Sequence, residues 1–151
     1  MYEGEVCSAA RTLEVVGERW SLLIVRNAMF AGMTRFTEFQ RGLGIAPNIL
    51  TKRLAEFVEI GIFEQRGAPG HTEYTLTDKG LDLKPVILAL TAWGDRHAAP
   101  DGPPITYRHP GCTGKVDVRL ECSDCDATPE LAEVTAELAQ WAYERKFGTA
   151  N

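Results

Sequence analysis

The chain has few of the features that mark secreted, membrane-spanning or disordered proteins. It contains only four cysteines among 151 residues, and no apolar run approaches the ~18 residues needed to cross a bilayer. Its N-terminus lacks a basic segment followed by an apolar one, so no secretory signal is visible and we expect a cytoplasmic protein without membrane contact. With 44% hydrophobic and 25% charged residues, the composition is that of an ordinary soluble domain.

Motifs for catalysis are equally scarce. The sequence has no glycine-rich phosphate loop, no Gly-x-Ser-x-Gly nucleophile elbow and no His-Glu-x-x-His metalloprotease motif. Of the three histidines, His71 and His97 have no neighbouring residue that indicates a general base. We therefore expect a binding protein and not an enzyme.

The net charge of -5 argues at first against a nucleic-acid partner, but the charge is unevenly distributed. Residues 1–100 carry 11 basic and 12 acidic side chains, whereas residues 101–151 carry 5 basic and 9 acidic ones. The acidity is therefore concentrated in the C-terminal third, and the near-neutral first hundred residues remain compatible with DNA binding.

A proline-rich stretch divides the chain. Three of the eight prolines fall within five residues of the segment 98–104, and such a stretch cannot continue a helix. It predicts a linker over 99–104 that separates an N-terminal domain of residues 1–98 from a C-terminal unit of residues 105–151.

Hydrophobic periodicity predicts the elements of the N-terminal domain. Apolar residues recur at helical spacing in several segments, and two short strand-like segments flank a loop of turn-forming residues. The predicted elements are a helix over 9–30 broken near Gly17, helices over 35–43 and 47–60, strands over 62–66 and 72–76, and a helix over 78–97 that Thr77 caps and Pro85 kinks or restarts. This order is that of a winged helix-turn-helix, a mainly α fold with a small β-hairpin wing.

The helix predicted over 47–60 is the candidate for DNA recognition. Apolar residues recur at i, i+4, i+7 and i+8 from Leu50, so one face of this helix is buried. The other face is polar near the N-terminus, where the helix dipole favours phosphate and side chains reach base edges in a major groove. Together with the wing, the candidate DNA-binding residues are Arg35, Asn48, Thr51, Lys52, Arg53, Arg66 and His71. The alternative is a scaffold whose basic residues are merely solvated.

Several spaced fragments resemble the HxlR type of transcriptional regulator. They are residues 17–24 after Cys7, residues 35–39, residues 49–54 with Gly61, residues 73–80, and residues 83–86 with Trp93. Each fragment alone is weakly specific, but the spaced combination over about residues 7–97 is highly specific. The resemblance implies a homodimeric winged-helix regulator, related in fold to the MarR group, whose recognition helix is the one over 47–60. It also implies that the first and last helices form the dimer interface, and such a dimer is expected to bind a pseudo-palindromic operator in double-stranded DNA.

Two positions bear on how such a regulator works. The family usually places a side-chain hydroxyl just before the recognition helix, whereas Ala46 stands there, which removes a cap worth ~1 kcal/mol and a potential phosphate contact. A cysteine at the place of Cys7 is common in the family and senses redox changes in some members, which makes Cys7 a candidate redox residue. The alternative for Cys7 is a small buried residue. A small-molecule or redox effector therefore stays open.

The C-terminal unit carries a candidate metal site. His109, Cys112, Cys122 and Cys125 follow the spacing H-x2-C-x9-C-x2-C, and two short chelate pairs of this kind are typical of tetrahedral Zn²⁺. Four protein ligands leave no open position, so we expect one structural Zn²⁺ per chain in a zinc-ribbon-like segment. The alternatives are a Cys122–Cys125 dithiol with a redox function, or thiols with unrelated roles.

The rest of the C-terminal unit predicts a weak strand over 106–120 and a terminal helix that Thr128 and Pro129 begin. The apolar stripe of that helix needs a partner surface, which we expect the second subunit or the first helix to supply. The acidic net charge and Ala46 keep one alternative function open, a zinc-stabilised protein-interaction module with weak DNA binding.

Overall fold

The computed structural model describes residues 6–68 and 70–148. These residues form a mainly helical domain with a two-stranded wing, followed by a tail (residues 105–148) that is mostly without regular secondary structure. In chain order the elements are α1 (Ser8–Val16), α2 (Ser21–Ala31), α3 (Phe36–Leu43), α4 (Pro47–Glu59), β1 (Phe63–Arg66), β2 (Glu73–Leu76), α5 (Asp78–Leu81), α6 (Lys84–His97), a 3-10 helix (Leu131–Glu133) and α7 (Gln140–Phe147). The strands are antiparallel, with Phe63 opposite Leu76 and Arg66 opposite Glu73. The mainly α fold with a β-hairpin wing is confirmed.

Glycines and one proline set the boundaries of these helices. The helix predicted over 9–30 is broken at Gly17 into α1 and α2, as expected. Both α2 and α3 end at a glycine, Gly32 and Gly44, with φ of +64°, a left-handed conformation that only glycine adopts without steric cost. Pro85 lies in the first turn of α6, so the helix predicted over 78–97 is divided into α5 and a new helix, α6.

The core lies between the helix-turn-helix, which α3 and α4 form, and the wing, which β1 and β2 form. Phe39 of α3, Phe57 of α4 and Phe63 of β1 are buried together, and the rings of Phe39 and Phe63 meet edge to face with centroids 6.2 Å apart. On α4 the buried face also contains Leu50 and Leu54, at the spacing that the sequence predicts. Each of these side chains contributes about 1.5–3 kcal/mol on burial, so α4 is firmly held with its opposite face in solvent.

Two contacts bind the helix-turn-helix to the wing. The backbone N–H of Tyr74 donates to the carbonyl of Thr34 at 2.7 Å, next to an isolated antiparallel bridge between Arg35 and Glu73. On the other side of the wing, the hydroxyl of Thr77 donates to the carbonyl of Gly61 at 2.6 Å. The wing is therefore fixed relative to α3 and α4.

The tail differs from the prediction in two places. Residues 105–130 are all described and contain no strand, so the strand expected over 106–120 is wrong, and the terminal helix does not begin at Thr128. Only the 3-10 turn and the short α7 form, because most helical stability comes from packing an apolar face. Leu131 is 75% exposed and Leu138 is 55% exposed, so no surface among the described residues covers these two side chains.

The start of the tail packs on the domain through one tyrosine. The ring of Tyr107 lies 4.7 Å from the ring of Phe30 of α2, and its hydroxyl lies 3.4 Å from that of Thr91 of α6. The tail is thereby anchored beside α2 and α6.

Across the described residues, the structure contains no helix with the length and apolar character that a bilayer span requires.

Candidate nucleic-acid interface and cysteine pairs

The exposed face of α4 begins at its N-terminus. Asn48, Thr51 and Lys52 are exposed, and Thr51 and Lys52 follow Asn48 by three and four residues, about one helical turn, so they lie near it on this face. The hydroxyl of Thr51 donates to the carbonyl of Pro47 at 2.9 Å, and its lone pairs remain available as acceptors. An amide, a hydroxyl and an ammonium group thus stand at the positive end of the helix dipole, which suits phosphate and base edges.

Lys52 and Arg53 are adjacent in sequence but lie in different environments. The side chain of Lys52 is 69% exposed, and its Nζ is 3.9 Å from Oε1 of Glu56. The side chain of Arg53 is only 15% exposed, with Nη1 at 2.6 Å from Oε2 of Glu56 and Nη2 at 3.4 Å from Oε2 of Glu18. Because Glu18 precedes α2, Arg53 ties α4 to the start of another helix. This geometry favours a positioning role for Arg53 over the predicted contact with DNA.

Arg35 connects α3 to the wing. Its Nε and Nη2 lie 3.3 and 3.1 Å from Oε1 of Glu73 on β2. Exposed pairs of this kind contribute only about 0–1 kcal/mol, so Arg35 can exchange its carboxylate partner for a phosphate. The carboxylate of Glu38 caps the same end of α3 by accepting the N–H groups of Thr34 and Arg35 at 2.8 and 3.0 Å. These two hydrogen bonds, Thr34 foremost, lower the pKa of Glu38 below its ordinary value.

The wing tip presents the two remaining candidates. Arg66 ends β1 and pairs with Glu64 at 2.8 Å, while His71 is exposed just before β2. Gly67 turns the chain with φ of +100°, and a Cβ at this position would lie 2.3 Å from the carbonyl oxygen of His71. The turn therefore requires glycine. Pro69 of the same loop lies outside the described residues.

The start of α4 lacks a side-chain cap, as the sequence predicts. Ala46 occupies the N-cap position in an extended conformation, with Pro47 in the first turn. Sequence reasoning missed Glu18 and Glu73, the partners of Arg53 and Arg35. Pairs so distant along the chain leave no local signal in the sequence.

The first pair of candidate ligands in the tail, His109 and Cys112, lies in a tight turn. The N–H of Cys112 points to the carbonyl of His109 at 3.4 Å, and the N–H of Gly114 donates to Sγ of Cys112 at 3.2 Å. Nδ1 of His109 lies 3.2 Å from the carbonyl oxygen of Pro110. Both side chains are exposed, so the turn offers an imidazole and a sulfur to the solvent.

The second pair lies in a comparable turn. The N–H of Cys122 donates to the carbonyl of Ala127, and the N–H of Asp126 donates to the carbonyl of Cys122, both at 2.9 Å. The sulfur of Cys122 accepts from the N–H of Asp124, from the N–H of Cys125 and from the Cys125 thiol. These hydrogen bonds, that of Asp124 foremost, lower the pKa of the Cys122 thiol below its ordinary value.

The two turns are separate in the structure. Within residues 6–68 and 70–148, no three His, Cys, Asp or Glu side chains are close enough to hold one metal ion. All four cysteines are free thiols, and Cys7 is exposed at the N-cap of α1. The zinc-ribbon-like segment and its Zn²⁺ therefore stay predictions, and so does a role for Cys7.

A groove lies beside the first of these turns, between α2, α6 and the start of the tail. Its volume is about 580 Å³, within the range of small-molecule sites. Phe30, Leu88 and Tyr107 line its apolar part, and Lys84 and Arg108 add two positive charges.

Comparison with known proteins finds one match over most of the N-terminal domain and others over most of the chain. The family model described as HxlR-like helix-turn-helix matches residues 15–101. The HTH-type transcriptional regulator Rv3095 of Mycobacterium tuberculosis (strain ATCC 25618 / H37Rv) is 44% identical over 140 residues, which cover 90% of this chain and 87% of that protein.

Solved structures show the same relationship. PA1607, provisionally described as a transcription factor, is 37% identical with a TM-score of 0.77, over 87% of this chain and 94% of its own. The reduced form of the redox regulator HypR is 31% identical with a TM-score of 0.54, over 60% of this chain and 92% of its own. The family match spans α2 to α6, and with it the helix-turn-helix and the wing. The chain therefore belongs to the HxlR-like helix-turn-helix family and is a transcriptional regulator with a DNA-binding fold.

Proposed function

We propose that the protein acts as a homodimer that binds a pseudo-palindromic operator, with α4 of each subunit in a major groove, and that it has no enzymatic activity. The observation that carries this proposal is the exposed polar start of α4 on a helix whose other face is buried. Asn48 has the amide that pairs bidentately with adenine, and Lys52 has the ammonium group that binds guanine or phosphate. Arg66 and His71 of the wing supply contacts to the neighbouring backbone.

Exposed apolar side chains are the evidence that favours a dimer. Trp93 of α6 is 57% exposed and Trp141 of α7 is 58% exposed, and Leu13 of α1 and Leu90 of α6 are exposed as well. Large apolar surfaces of this kind mark interaction sites, and a second copy that packs α1, α6 and the tail against their counterparts would cover them. A two-fold axis then presents two recognition helices to half-sites ~34–36 Å apart.

The test is selection of duplexes from a random-sequence library at a stated salt concentration. We expect enrichment of two inverted half-sites whose centres are ~10 base pairs apart, bound by one dimer in analytical ultracentrifugation. Asn48→Ala should relax the preference at one base pair of each half-site, at a cost of about 1–3 kcal/mol. Enrichment of a single unrepeated site would refute the dimer model. Failure to enrich any sequence would favour the protein-interaction module.

A second candidate function is thiol sensing at Cys7, favoured by its exposed thiol and by the similarity to the redox regulator HypR. In this reaction the Cys7 thiolate attacks oxidised glutathione, forms a mixed disulfide and releases one glutathione thiolate. We expect glutathionylation to change operator affinity in the wild type and to have no effect in Cys7→Ser. Equal effects in both proteins, measured with mass spectrometry of the adducts, would assign the response to the tail cysteines.

A further inference from the structure

The tail places a backbone N–H group at the sulfur of Cys112. The N–H of Gly114, two residues after Cys112, donates to its sulfur at 3.2 Å. A sulfur that carries negative charge gains most from such donors, and hydrogen bonds of this kind orient and stabilise thiolate ligands of metals. The second turn, held by the hydrogen bonds between Cys122 and Asp126 and between Cys122 and Ala127, carries Cys122 and Cys125 at the same spacing as His109 and Cys112. We interpret the two turns as two halves of a single thiolate site.

The imidazole of His109, in the first turn, is also suited to bind a metal ion. When Nδ1 of His109 carries the proton, it donates to the carbonyl oxygen of Pro110, 3.2 Å away, and Nε2 keeps a free lone pair. Gly111, with φ of +78°, gives the left-handed turn that separates His109 from Cys112 by two residues. The first turn can therefore present one nitrogen and one sulfur to an ion.

The identity of the ion follows from the donor atoms. Three sulfurs and one imidazole nitrogen suit a borderline-soft ion without geometric preference of its own, and exclude Mg²⁺ and Ca²⁺, which take oxygen ligands. Residues 105–130 form no helix or strand, and the described tail buries almost no apolar side chain. Such a segment lacks a core of its own, so a metal would supply most of the free energy that orders it.

We propose that His109, Cys112, Cys122 and Cys125 bind one structural Zn²⁺ per chain, and that binding closes the two turns onto each other. Nine residues separate Cys112 from Cys122, so the loop that must close is short. Each chelate pair is already held in its turn, and the rearrangement is limited to bringing the pairs together. Four protein ligands leave no position for substrate, so the metal shapes the tail and takes no part in a reaction.

The first test is the metal content of untagged full-length protein, purified under reducing conditions without added metal. We expect one equivalent of zinc per chain in the wild type and in the control Cys7→Ser. Cys122→Ser and His109→Ala should lose most of it. Far-UV circular dichroism of each variant checks that the winged-helix domain, which has its own core, stays folded.

The second test replaces zinc with Co²⁺ in the apoprotein, because Co²⁺ reports its ligands by its spectrum. We expect intense visible absorption of a tetrahedral ion with sulfur-to-metal charge transfer, saturating at one equivalent and absent in Cys122→Ser. Zinc far below one equivalent in the reduced wild type would overturn the proposal. So would a Cys122→Ser protein that retains full zinc, or a Cys122–Cys125 disulfide in protein that never bound metal. The disulfide would assign the pair to redox chemistry.

Discussion

Replacement of Arg53 by alanine separates a positioning role for this residue from a role in DNA contact. The mutation removes a charge-assisted hydrogen bond to Glu56 at 2.6 Å and a longer ion pair to Glu18 at 3.4 Å. It also removes a side-chain stem that packs on the domain, since only 15% of the side chain is exposed. The helix-turn-helix should therefore lose stability before any DNA is present.

The expected loss follows from the two contacts. A hydrogen bond between charged groups contributes about 1.5–3 kcal/mol, and the partly exposed Glu56 places this one at the low end. The pair with Glu18, which is largely exposed, adds about 0.2–1 kcal/mol. We therefore expect Arg53→Ala to lower the free energy of unfolding by about 2 kcal/mol.

Lys52→Ala is the matched control, because Lys52 is adjacent, carries the same charge and lies near the same carboxylate. Its Nζ is 3.9 Å from Glu56 and its side chain is 69% exposed, so its loss should cost at most ~0.5 kcal/mol. Urea unfolding at one fixed protein concentration measures both variants, since the stability of a dimer depends on concentration.

A double-mutant cycle then assigns the energy to its partners. Coupling of Arg53 with Glu56, measured through Glu56→Gln, should be about 1 kcal/mol and should exceed its coupling with Glu18. A positioning role for Arg53 is refuted if Arg53→Ala unfolds like the wild type while its DNA affinity becomes less dependent on salt. That result would make Arg53 a phosphate contact.

Three further predictions concern the helix start, the wing and acid stability. Ala46→Ser should stabilise the protein by about 0.5–1 kcal/mol in urea unfolding, because the hydroxyl caps α4; an unchanged midpoint would show that this N-terminus needs no cap. Gly67→Ala should cost about 1–3 kcal/mol, because its Cβ meets the carbonyl of His71 at a φ of +100°, and equal stability would mean that the wing turn rearranges freely. The pKa of Glu38 is lowered in the fold, so its contribution is present above the unfolded pKa of ~4.5 and disappears as the pH falls through the lower folded value. Glu38→Gln should therefore flatten the stability profile below pH ~4.5, and a profile that stays parallel to the wild type would contradict this.

The elements of the N-terminal domain could be predicted because their signals are local. The apolar spacing from Leu50 places α4, Gly17 breaks the first helix, and Thr77 caps α5 by accepting the N–H of Gly80. Each signal acts within a few residues of the position it governs, so the sequence alone contains it.

The environment of the candidate DNA-binding residues could not be predicted in the same way. Lys52 and Arg53 look equivalent in the sequence, but only tertiary structure brings Glu18 to Arg53 and withdraws that guanidinium from the solvent. The prediction of a terminal helix that begins at Thr128 was wrong for a related reason. Its apolar stripe has helical spacing, but no surface formed by residues 6–68 and 70–148 covers Leu131 and Leu138, and the helix shortens to α7.

The proposed function rests on the claim that the exposed start of α4 binds the operator. The most direct measurement is operator affinity of Lys52→Ala against salt concentration, with Lys115→Ala in the tail as a control that removes the same charge. We expect weaker binding for Lys52→Ala at every salt concentration and a salt slope smaller by about 1, with Lys115→Ala unchanged. A Lys52→Ala protein with wild-type affinity and slope would contradict the claim.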